Sequence, residues 1–207
     1  MRKPAPTPLH SAFHPGATNV HNAGSERQPR GAVIWLTGLS GAGKSSLAQA
    51  LATRLRQRGH RCYVLDGDTL RTGLNADLGF SPAARHENIR RTGEVAALFA
   101  DAGLLCIAAL ISPYRADRAA ARRACKGSFH EIHVNADLAT CETRDPKGLY
   151  RRARAGELKA FTGIDAPYEA PEHPELVLNT ATHSLPASLD LLLEYVLQQV
   201  LPVNSPA

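Results

Sequence analysis

The feature that most constrains the fold of this chain is the octapeptide GLSGAGKS at residues 38–45. It fits the pattern G-x-x-x-x-G-K-[ST]. It follows the apolar run AVIWLT and precedes a helical pattern marked by Leu47, Leu51 and Leu55. A glycine-rich turn between a strand and a helix presents backbone N–H groups to phosphate oxygens. The flanking patterns disfavour a plain turn, so the motif predicts a strand–loop–helix unit that binds a nucleoside triphosphate.

Further apolar runs with strand character alternate with amphipathic helical patterns along the chain. The four runs are RCYVLDGD, LLCIAALI, FHEIHVN and LVLNT, and SLPASLDLLLEYVLQQVL is predicted to form a single C-terminal helix. Strands that alternate with helices at this spacing form a parallel sheet between two helical layers. The predicted fold class is therefore α/β, with a five-stranded parallel sheet and helices on both faces.

Residues 1–30 differ in composition from the rest of the chain, because they contain five prolines and few large apolar residues. This composition predicts a flexible N-terminal tail, followed by a single domain over residues 31–207. No apolar run approaches the ~20 residues that cross a bilayer, and the N-terminus lacks a signal-peptide pattern. We therefore expect a cytoplasmic protein with no membrane partner.

The formal net charge of +5 is compatible with anionic partners. The basic residues form no long run and no groove-reading motif, so we expect no nucleic-acid partner. The four cysteines lack C-x-x-C spacing, and two lie in strand-like runs, so we interpret them as core residues in a reducing compartment. His130 and His133 have no third ligand nearby and are interpreted as strand-surface residues rather than a metal site.

Charged and polar residues are grouped after the second strand and near the start of the second long helix. Asp66 and Asp68 end the run LDGD, and paired carboxylates at a strand end can hold Mg²⁺ or orient an acceptor hydroxyl. Helix capping by Asp68 and Thr69 is the structural alternative. Arg85 and Asn88 share one helix face near the helix start, where arginine opposes the helix dipole. This placement indicates an anionic ligand.

Several stretches together resemble the adenylylsulfate kinase (APS kinase) family. They are IWLTGLSGAGKS, LDGD, DLGFS, ENIRR, EVAALFADAG, ISPYRADR, RDPKGLYRRARAGE and FTGIDAPYEAP. The similarity extends over about residues 31–180, and several of these motifs are specific to the family. The resemblance implies a P-loop nucleotide-kinase-like fold and a phosphoprotein that works as a homodimer.

The resemblance also implies a reaction. The γ-phosphoryl group of ATP would pass to the 3′-hydroxyl of adenosine 5′-phosphosulfate (APS), with Mg²⁺ as cofactor. The products would be 3′-phosphoadenosine 5′-phosphosulfate and ADP, in sulfate assimilation. A functional link to an ATP sulfurylase, which would make the unstable acceptor, is a further expectation.

Matching positions give the implied site residues. Lys44, Asp66 and Ser112 are the implied catalytic residues, and Ser45 is the implied metal ligand. The ATP-binding residues would be Gly38, Leu39, Ser40, Gly41, Ala42, Gly43, Lys44, Ser45 and Ser46. The residues that bind APS would be Asp68, Arg71, Phe80, Arg85, Asn88, Ile111, Ser112, Lys147, Ala160 and Phe161. Phe80 and Phe161 would sandwich the adenine, Arg85 and Asn88 would grip the phosphosulfate, and KGLYRRARAGE would form a mobile lid.

The family is customarily described with a phosphoserine intermediate at the position of Ser112. A covalent role requires a base that activates the hydroxyl, and no histidine is close to Ser112 in the sequence. A serine at a strand end can equally hydrogen-bond the substrate. The sequence therefore leaves the role of Ser112 open.

The chain departs from the family pattern at five positions. Thr69 stands where Asn is usual, Ser46 where Thr is usual, and Leu110 where Phe is common. Ala84 replaces an Asp that could orient the next arginine. Ala160 replaces a Gly, which predicts a stiffer loop. None of these changes removes a residue assigned to chemistry, but those at Ala84 and Ala160 are expected to weaken substrate binding.

Two other functions remain open from the residues alone. A P-loop kinase acting on a sugar or a nucleoside would share the phosphate loop, although two aromatic residues and extra arginines beside the acceptor disfavour it. A regulatory module that binds a nucleotide without turnover would be expected to lose Lys44, Asp66 or Arg85, and all three are present.

Overall fold

The computed structural model of the protein describes residues 31–201, which form a five-stranded sheet in which every strand pair is parallel. The strands are β1 (Ala32–Thr37), β2 (Cys62–Asp66), β3 (Leu105–Ala109), β4 (Ser128–Asn135) and β5 (Leu176–Asn179), in the order β2-β3-β1-β4-β5. The predicted fold class is confirmed. The predicted tail at residues 1–30 and the end of the predicted domain at residues 202–207 lie outside the described residues.

Helices connect the strands and cover both faces of the sheet. They are α1 (Lys44–Gln57), α2 (Gly67–Arg71), α3 (Pro82–Asp101), α4 (Arg115–Ala124), α5 (Leu138–Arg144), α6 (Leu149–Arg154) and α7 (Leu185–Tyr195), followed by a π-helical turn at Val196–Val200.

The central strand β1 faces a hydrophobic core on each side, and all six of its residues are buried. Ile34 and Leu36 pack with α1 and α7 on one face, whereas Val33 and Trp35 pack with α3 and α4 on the other. Successive side chains of a strand point to opposite faces, so a strand covered on both sides is a continuous apolar run. This is why AVIWLT does not alternate between apolar and polar residues.

Helix starts follow from local side-chain caps. Ser81 caps α3 by accepting a hydrogen bond from the backbone N–H of Ala84 at 3.2 Å, and Pro82 occupies the first helical position. Ser184 caps α7 in the same way. Further along α3, a Cβ on Gly93 would lie 2.9 Å from the Cβ of Ala121, so glycine allows α3 to approach α4 closely.

The structure differs from the sequence-based element boundaries in three places. β2 ends at Asp66, and the short helix α2 begins directly after it, because the Asp66 side chain caps that helix. β3 is shorter than the apolar run LLCIAALI, whose last two residues lead out of the sheet. The predicted single C-terminal helix is instead α7 followed by the π-helical turn.

The cysteines and histidines occupy the kinds of position that their sequence contexts suggest. All four cysteines are free thiols and buried. His130 lies on β4 and shares a 2.7 Å hydrogen bond with the hydroxyl of Tyr195. Within residues 31–201, no group of three or more His, Cys, Asp or Glu side chains is arranged to hold a metal ion. None of the helices in the same residues is both long enough and apolar enough to cross a membrane.

Candidate active site

A cavity of about 1070 Å³ lies at the carboxyl edge of the sheet. It is lined by the loop after β1, by α2, which directly follows β2, and by the segment after β3. Parts of α3 and of residues 144–162 and 180–185 complete its wall. Parallel α/β sheets bind their ligands at this edge, because loops from several strands converge there.

The loop between β1 and α1 has the backbone geometry of a phosphate cradle. Gly41 and Gly43 have φ angles of 78° and 98°, in the left-handed region that glycine adopts without strain. A Cβ at Gly41 would lie only 3.0 Å from the carbonyl oxygen of Cys141. Gly43 is the N-cap residue of α1, and no side chain caps this helix. The first N–H groups of α1 therefore lack a side-chain acceptor, which suits them to an anionic ligand.

Lys44 lies in this cradle with its ammonium group largely withdrawn from solvent. The side-chain Nζ donates a 2.7 Å hydrogen bond to the carbonyl oxygen of Leu39. Burial lowers the pKa of Lys44 to about 8, an effect that the nearby Asp66 carboxylate partly offsets. An anion bound beside Lys44 would favour the charged form of the lysine.

Ser45 and Asp66 connect the phosphate loop to the end of β2. The Ser45 hydroxyl donates a 2.6 Å hydrogen bond to Oδ2 of Asp66. The other carboxylate oxygen, Oδ1, accepts a 3.0 Å hydrogen bond from the backbone N–H of Asp68 and so caps α2. The helix cap that the sequence offered as an alternative role for Asp68 and Thr69 is thus supplied by Asp66, and Asp68 lies in the first helical turn. One carboxylate oxygen of Asp66 remains paired only with a hydroxyl.

Three charged side chains line the cavity at α2: Asp68 and Arg71 of that helix, and Lys147. Lys147 forms an ion pair with Asp68, and both side chains are more than half exposed. Arg71 donates hydrogen bonds to the carbonyl oxygens of Leu78 and Gly79, and its guanidinium lies 4.4 Å from the ring centroid of Phe80. Arg71 therefore supports the exposed Phe80 ring from one side.

Arg85 connects α3 to the loop that carries Phe161. Its guanidinium donates to the carbonyl oxygens of Phe80 and Ala160 at 2.9 and 2.6 Å, and to the hydroxyl of Thr162 at 2.5 Å. Burial lowers the pKa of Arg85, yet an arginine stays protonated at neutral pH. Arg85 is thus a cation fixed at the cavity wall by three protein acceptors.

The segment predicted to be a lid contains α6, and this helix contacts the phosphate loop. Tyr150 is 2% exposed and donates a 2.9 Å hydrogen bond to the carbonyl oxygen of Ser40 in the phosphate loop. The Tyr150 ring packs edge-on against Phe161, with ring centroids 5.1 Å apart. The phosphate loop and the phenylalanine wall are therefore coupled through one buried tyrosine.

Ser112 lies three residues beyond β3 and is 1% exposed, with a φ angle of 41°. Its hydroxyl accepts a 3.1 Å hydrogen bond from Nε1 of Trp35. Its carbonyl oxygen accepts a 2.7 Å hydrogen bond from Arg118, which is itself buried. Thr37 donates a 2.8 Å hydrogen bond to the neighbouring carbonyl oxygen of Ile111. The unusual backbone at Ser112 is therefore held from three directions.

Comparison with known proteins identifies the family to which this site belongs. Residues 30–179 match the family model described as Adenylylsulphate kinase. The chain belongs to the adenylylsulphate kinase family. It is 58% identical over 165 residues to the adenylyl-sulfate kinase of Geotalea daltonii, covering 79% of this chain and 81% of that relative. It is 50% identical over 188 residues to the Bacillus licheniformis enzyme of the same name, covering 90% and 95% of the two chains.

A solved member of the adenylylsulphate kinase family has the same fold. The APS kinase CysC of Mycobacterium tuberculosis, in complex with AMPPNP and APS, superimposes with a TM-score of 0.80 at 47% sequence identity. The superposition covers 82% of this chain and 99% of that chain. The resemblance and the P-loop kinase fold inferred from the motifs are thereby confirmed.

Most of the residues that the family resemblance singled out line the one cavity. They are Ser40, Gly41, Ala42, Gly43, Lys44, Ser45, Ser46, Asp66, Asp68, Arg71, Phe80, Arg85, Asn88, Ile111, Ser112, Lys147 and Phe161. Gly38, Leu39 and Ala160 are not part of its lining. Gly38 instead lies against the backbone of Val134, and the Leu39 side chain lies against Gly163. Ala160 contributes only its backbone, as an acceptor for Arg85.

One wall of the cavity was not predicted from the sequence. It is formed by Arg144, Thr180, His183, Ser184 and Leu185. Arg144 donates to the carbonyl oxygens of Gly41 and Thr180, and the Thr180 hydroxyl donates a 2.8 Å hydrogen bond to the carbonyl oxygen of Ala42. Arg144 is the last residue of α5 and the other four follow β5, far along the chain from the phosphate loop. Arg144 begins the motif RDPKGLYRRARAGE, but no motif marks the residues after β5, because only the parallel sheet brings the end of β5 to the same edge as the end of β1.

Proposed function

We propose that this chain transfers the γ-phosphoryl group of ATP to the 3′-hydroxyl of APS, giving 3′-phosphoadenosine 5′-phosphosulfate and ADP. The observation that carries the proposal is the single cavity of about 1070 Å³ that contains both the phosphate loop and the wall formed by Phe80, Arg85 and Phe161. This volume is slightly larger than the range of about 300–1,000 Å³ for small-molecule sites, as expected for two nucleotides side by side. The solved relative in complex with AMPPNP and APS supports the same pair of ligands.

The donor nucleotide would bind along the phosphate loop. The uncapped start of α1 and the Lys44 ammonium would receive the β- and γ-phosphates, as the motif requires. The wall formed by Arg144 and residues 180–185 would then receive the adenine of ATP, because it lines the same cavity next to the loop. Transfer needs positioning and charge neutralisation more than a strong nucleophile.

A magnesium ion fits the oxygen atoms at the junction of the phosphate loop and β2. The Ser45 hydroxyl and one oxygen of Asp66 are already 2.6 Å apart and are hard oxygen donors, which Mg²⁺ prefers. Ser45 would be its protein ligand, and Asp66 would interact with it through water, so that its carboxylate can still receive a proton. When bound, the ion would neutralise charge on the transferred phosphoryl group.

The acceptor nucleotide would occupy the opposite side of the cavity. Phe80 and Phe161 would hold its adenine, with Arg71 supporting the Phe80 ring. Arg85 and Asn88 would bind the phosphosulfate, and Asp68 would exchange its ion pair with Lys147 for contacts to the nucleotide. Asp66 would orient the 3′-hydroxyl and receive its proton during transfer. The lid segment around α6 would close over the two substrates and exclude water.

Direct transfer between the two nucleotides is favoured over a phosphoserine intermediate. The Ser112 hydroxyl is buried and accepts a hydrogen bond from an indole N–H, which stabilises the oxygen without removing its proton. Within residues 31–201, the other hydrogen bond of this hydroxyl is a long one of 3.5 Å to the carbonyl oxygen of Leu110. None of the described residues places a side-chain base on this hydroxyl, so Ser112 would shape the cavity edge.

The deciding experiment measures ADP release from ATP and Mg²⁺ with and without APS. Wild type should release ADP only with APS, and Asp66→Asn should lower kcat about a hundredfold or more, because it keeps an oxygen acceptor but cannot take the proton. Asp190→Ala, an exposed aspartate on α7, is the matched control and should be unaffected. Sugars and unmodified nucleosides are tested as competing acceptors. ATP binding without any acceptor-dependent release would support a regulatory module and contradict the proposal.

We further propose that residues 31–207 act as one domain within a cytoplasmic homodimer. The solved hexameric APS kinase from Thiobacillus denitrificans supports assembly in the family but not a particular number of subunits. Light scattering on the purified chain would give the subunit number. Co-purification with an ATP sulfurylase would test the proposed functional link.

A further inference from the structure

Asn75 lies behind the cavity wall and touches a residue of the proposed acceptor site. It belongs to the turn after α2, is fully buried, and does not line the cavity. Its side-chain Nδ2 donates a 3.0 Å hydrogen bond to Oδ1 of Asn88 on α3. Asn88 is 5% exposed and does line the cavity. The two amides therefore connect the turn after α2 to the acceptor side of the site.

This contact determines which end of the Asn88 amide is left for a ligand. An asparagine amide has one accepting oxygen and one donating nitrogen. Asn75 occupies the oxygen of Asn88, and no side-chain hydrogen bond among residues 31–201 involves the Nδ2 of Asn88. Asn88 thus has a free donor group at the cavity, which matches an anionic ligand group.

The backbone on both sides fixes this arrangement. The Asn75 N–H donates a 2.8 Å hydrogen bond to the carbonyl oxygen of Leu70, the next-to-last residue of α2. The Thr92 hydroxyl donates a 2.7 Å hydrogen bond to the carbonyl oxygen of Asn88. The Asn75 side-chain oxygen is buried without a partner. An apolar residue would avoid that unsatisfied oxygen, so the choice of asparagine at this position points to the hydrogen bond it donates.

We propose that Asn75 is a positioning residue for the acceptor: it holds the Asn88 amide with its N–H₂ group towards the phosphosulfate of APS. This inference rests on the proposed function. If residue 75 could accept a hydrogen bond but not donate one, the side-chain amide of Asn88 would rotate by about 180° to donate to it. The cavity would then present an oxygen to the anion, and the affinity for the acceptor would fall.

The test compares Asn75→Asp, whose carboxylate can only accept, with Asn75→Leu, which fills similar space without a buried charge. Both variants should raise KM for APS about tenfold or more, because neither can donate to Asn88 and hold its N–H₂ group towards the charged ligand. KM for ATP should stay within about twofold, since Asn88 is on the acceptor side. A loss of folding would be seen in thermal unfolding, and it would affect both substrates together.

The matched control is Asp77→Asn, which weakens a second connection between the same turn and the same helix. Asp77 pairs with Arg91 at 2.7 Å, and its side chain is exposed. An equal rise of KM for APS in Asp77→Asn and the Asn75 variants would overturn the inference, as would unchanged values in both Asn75 variants. A wild-type chain that releases no ADP with APS would instead contradict the proposed function.

Discussion

At the scale of single residues, the site is built from polar groups that already satisfy one another. Asp66 uses one carboxylate oxygen to cap α2 and offers the other to Ser45. Lys147 is paired with Asp68, and Arg85 with three protein acceptors. Substrates therefore have to exchange partners with these groups rather than meet bare charges, which limits the affinity that each ionic contact adds.

Ser112→Ala tests the role of the buried serine. We expect kcat within about tenfold of wild type, because the hydroxyl is not activated, and a loss of about 1–3 kcal/mol in the free energy of unfolding, because Nε1 of Trp35 loses its acceptor. Steady-state kinetics and urea denaturation give both values. A fall in kcat as large as that of Lys44→Met would establish a catalytic role for the serine.

The lowered pKa of Lys44 predicts that ATP binding depends on pH. Its pKa in the free protein is about 8, below its usual value, and only the charged form attracts phosphate. Below pH 8 the lysine is already protonated and the Kd for ATP should be nearly constant. Above pH 8 binding must recruit a proton, so the Kd should rise by up to about tenfold per pH unit.

Isothermal titration between pH 6.5 and 9.5, in buffers of different ionisation enthalpy, would detect both the change in Kd and the proton uptake. Lys44→Met has no titrating group at this position and should show weak binding with a flat profile. The same steep profile in Lys44→Met would assign the effect to another group.

At the scale of elements, local signals predicted the phosphate loop, because a glycine-rich turn, its strand and its helix are contiguous in the sequence. They also predicted the long helices and the five strands. They did not predict α2, whose cap is the same aspartate that was assigned to chemistry. They missed the wall around Thr180, since its contact with Ala42 joins residues that are far apart in the sequence.

The backbone conformation of Ala160 indicates that glycine at this position would stabilise the fold. Ala160 has a φ angle of 54°, in the left-handed region that costs a residue with a Cβ about 1–2 kcal/mol. Ala160→Gly relieves this strain but increases the entropy of the unfolded chain. The net effect should be a rise of about 0.5–1 kcal/mol in the free energy of unfolding. Ala119→Gly on the exposed side of α4 is the control and should lower it by about 1 kcal/mol. Equal losses in both variants would contradict the strain at Ala160.

At the scale of the whole molecule, Arg118 joins segments that the sheet brings together. It is 2% exposed and donates to Glu131 on β4 and to the carbonyl oxygens of Ser112 and Glu169. It is therefore a connection between the central sheet, the cavity edge and the long loop before β5.

Arg118→Met should lower the free energy of unfolding by about 3 kcal/mol, because it leaves the largely buried Glu131, 14% exposed, with a more distant partner in Arg122 at 3.8 Å. Arg115→Met is the matched control on the same helix: its pair with Glu172 is exposed, and a loss of about 1 kcal/mol or less is expected. Urea denaturation measures both. A loss in Arg118→Met no greater than in Arg115→Met would show that the buried pair adds nothing.

The strand order has a consequence for how the chain reaches its native state. β1 is the first strand in the sequence but lies in the middle of the sheet, between β3 and β4. On a ribosome, its six buried residues emerge long before the strands that will cover their hydrogen-bonding groups. Parallel pairing of distant segments is slow, because a long stretch of chain must be closed first. The phosphate loop can take its shape only after β4 arrives, because Gly38 lies against the carbonyl of Val134. Nucleotide binding is thus a late event in folding, and a nascent chain that stops before residue 134 has no ATP site to protect it.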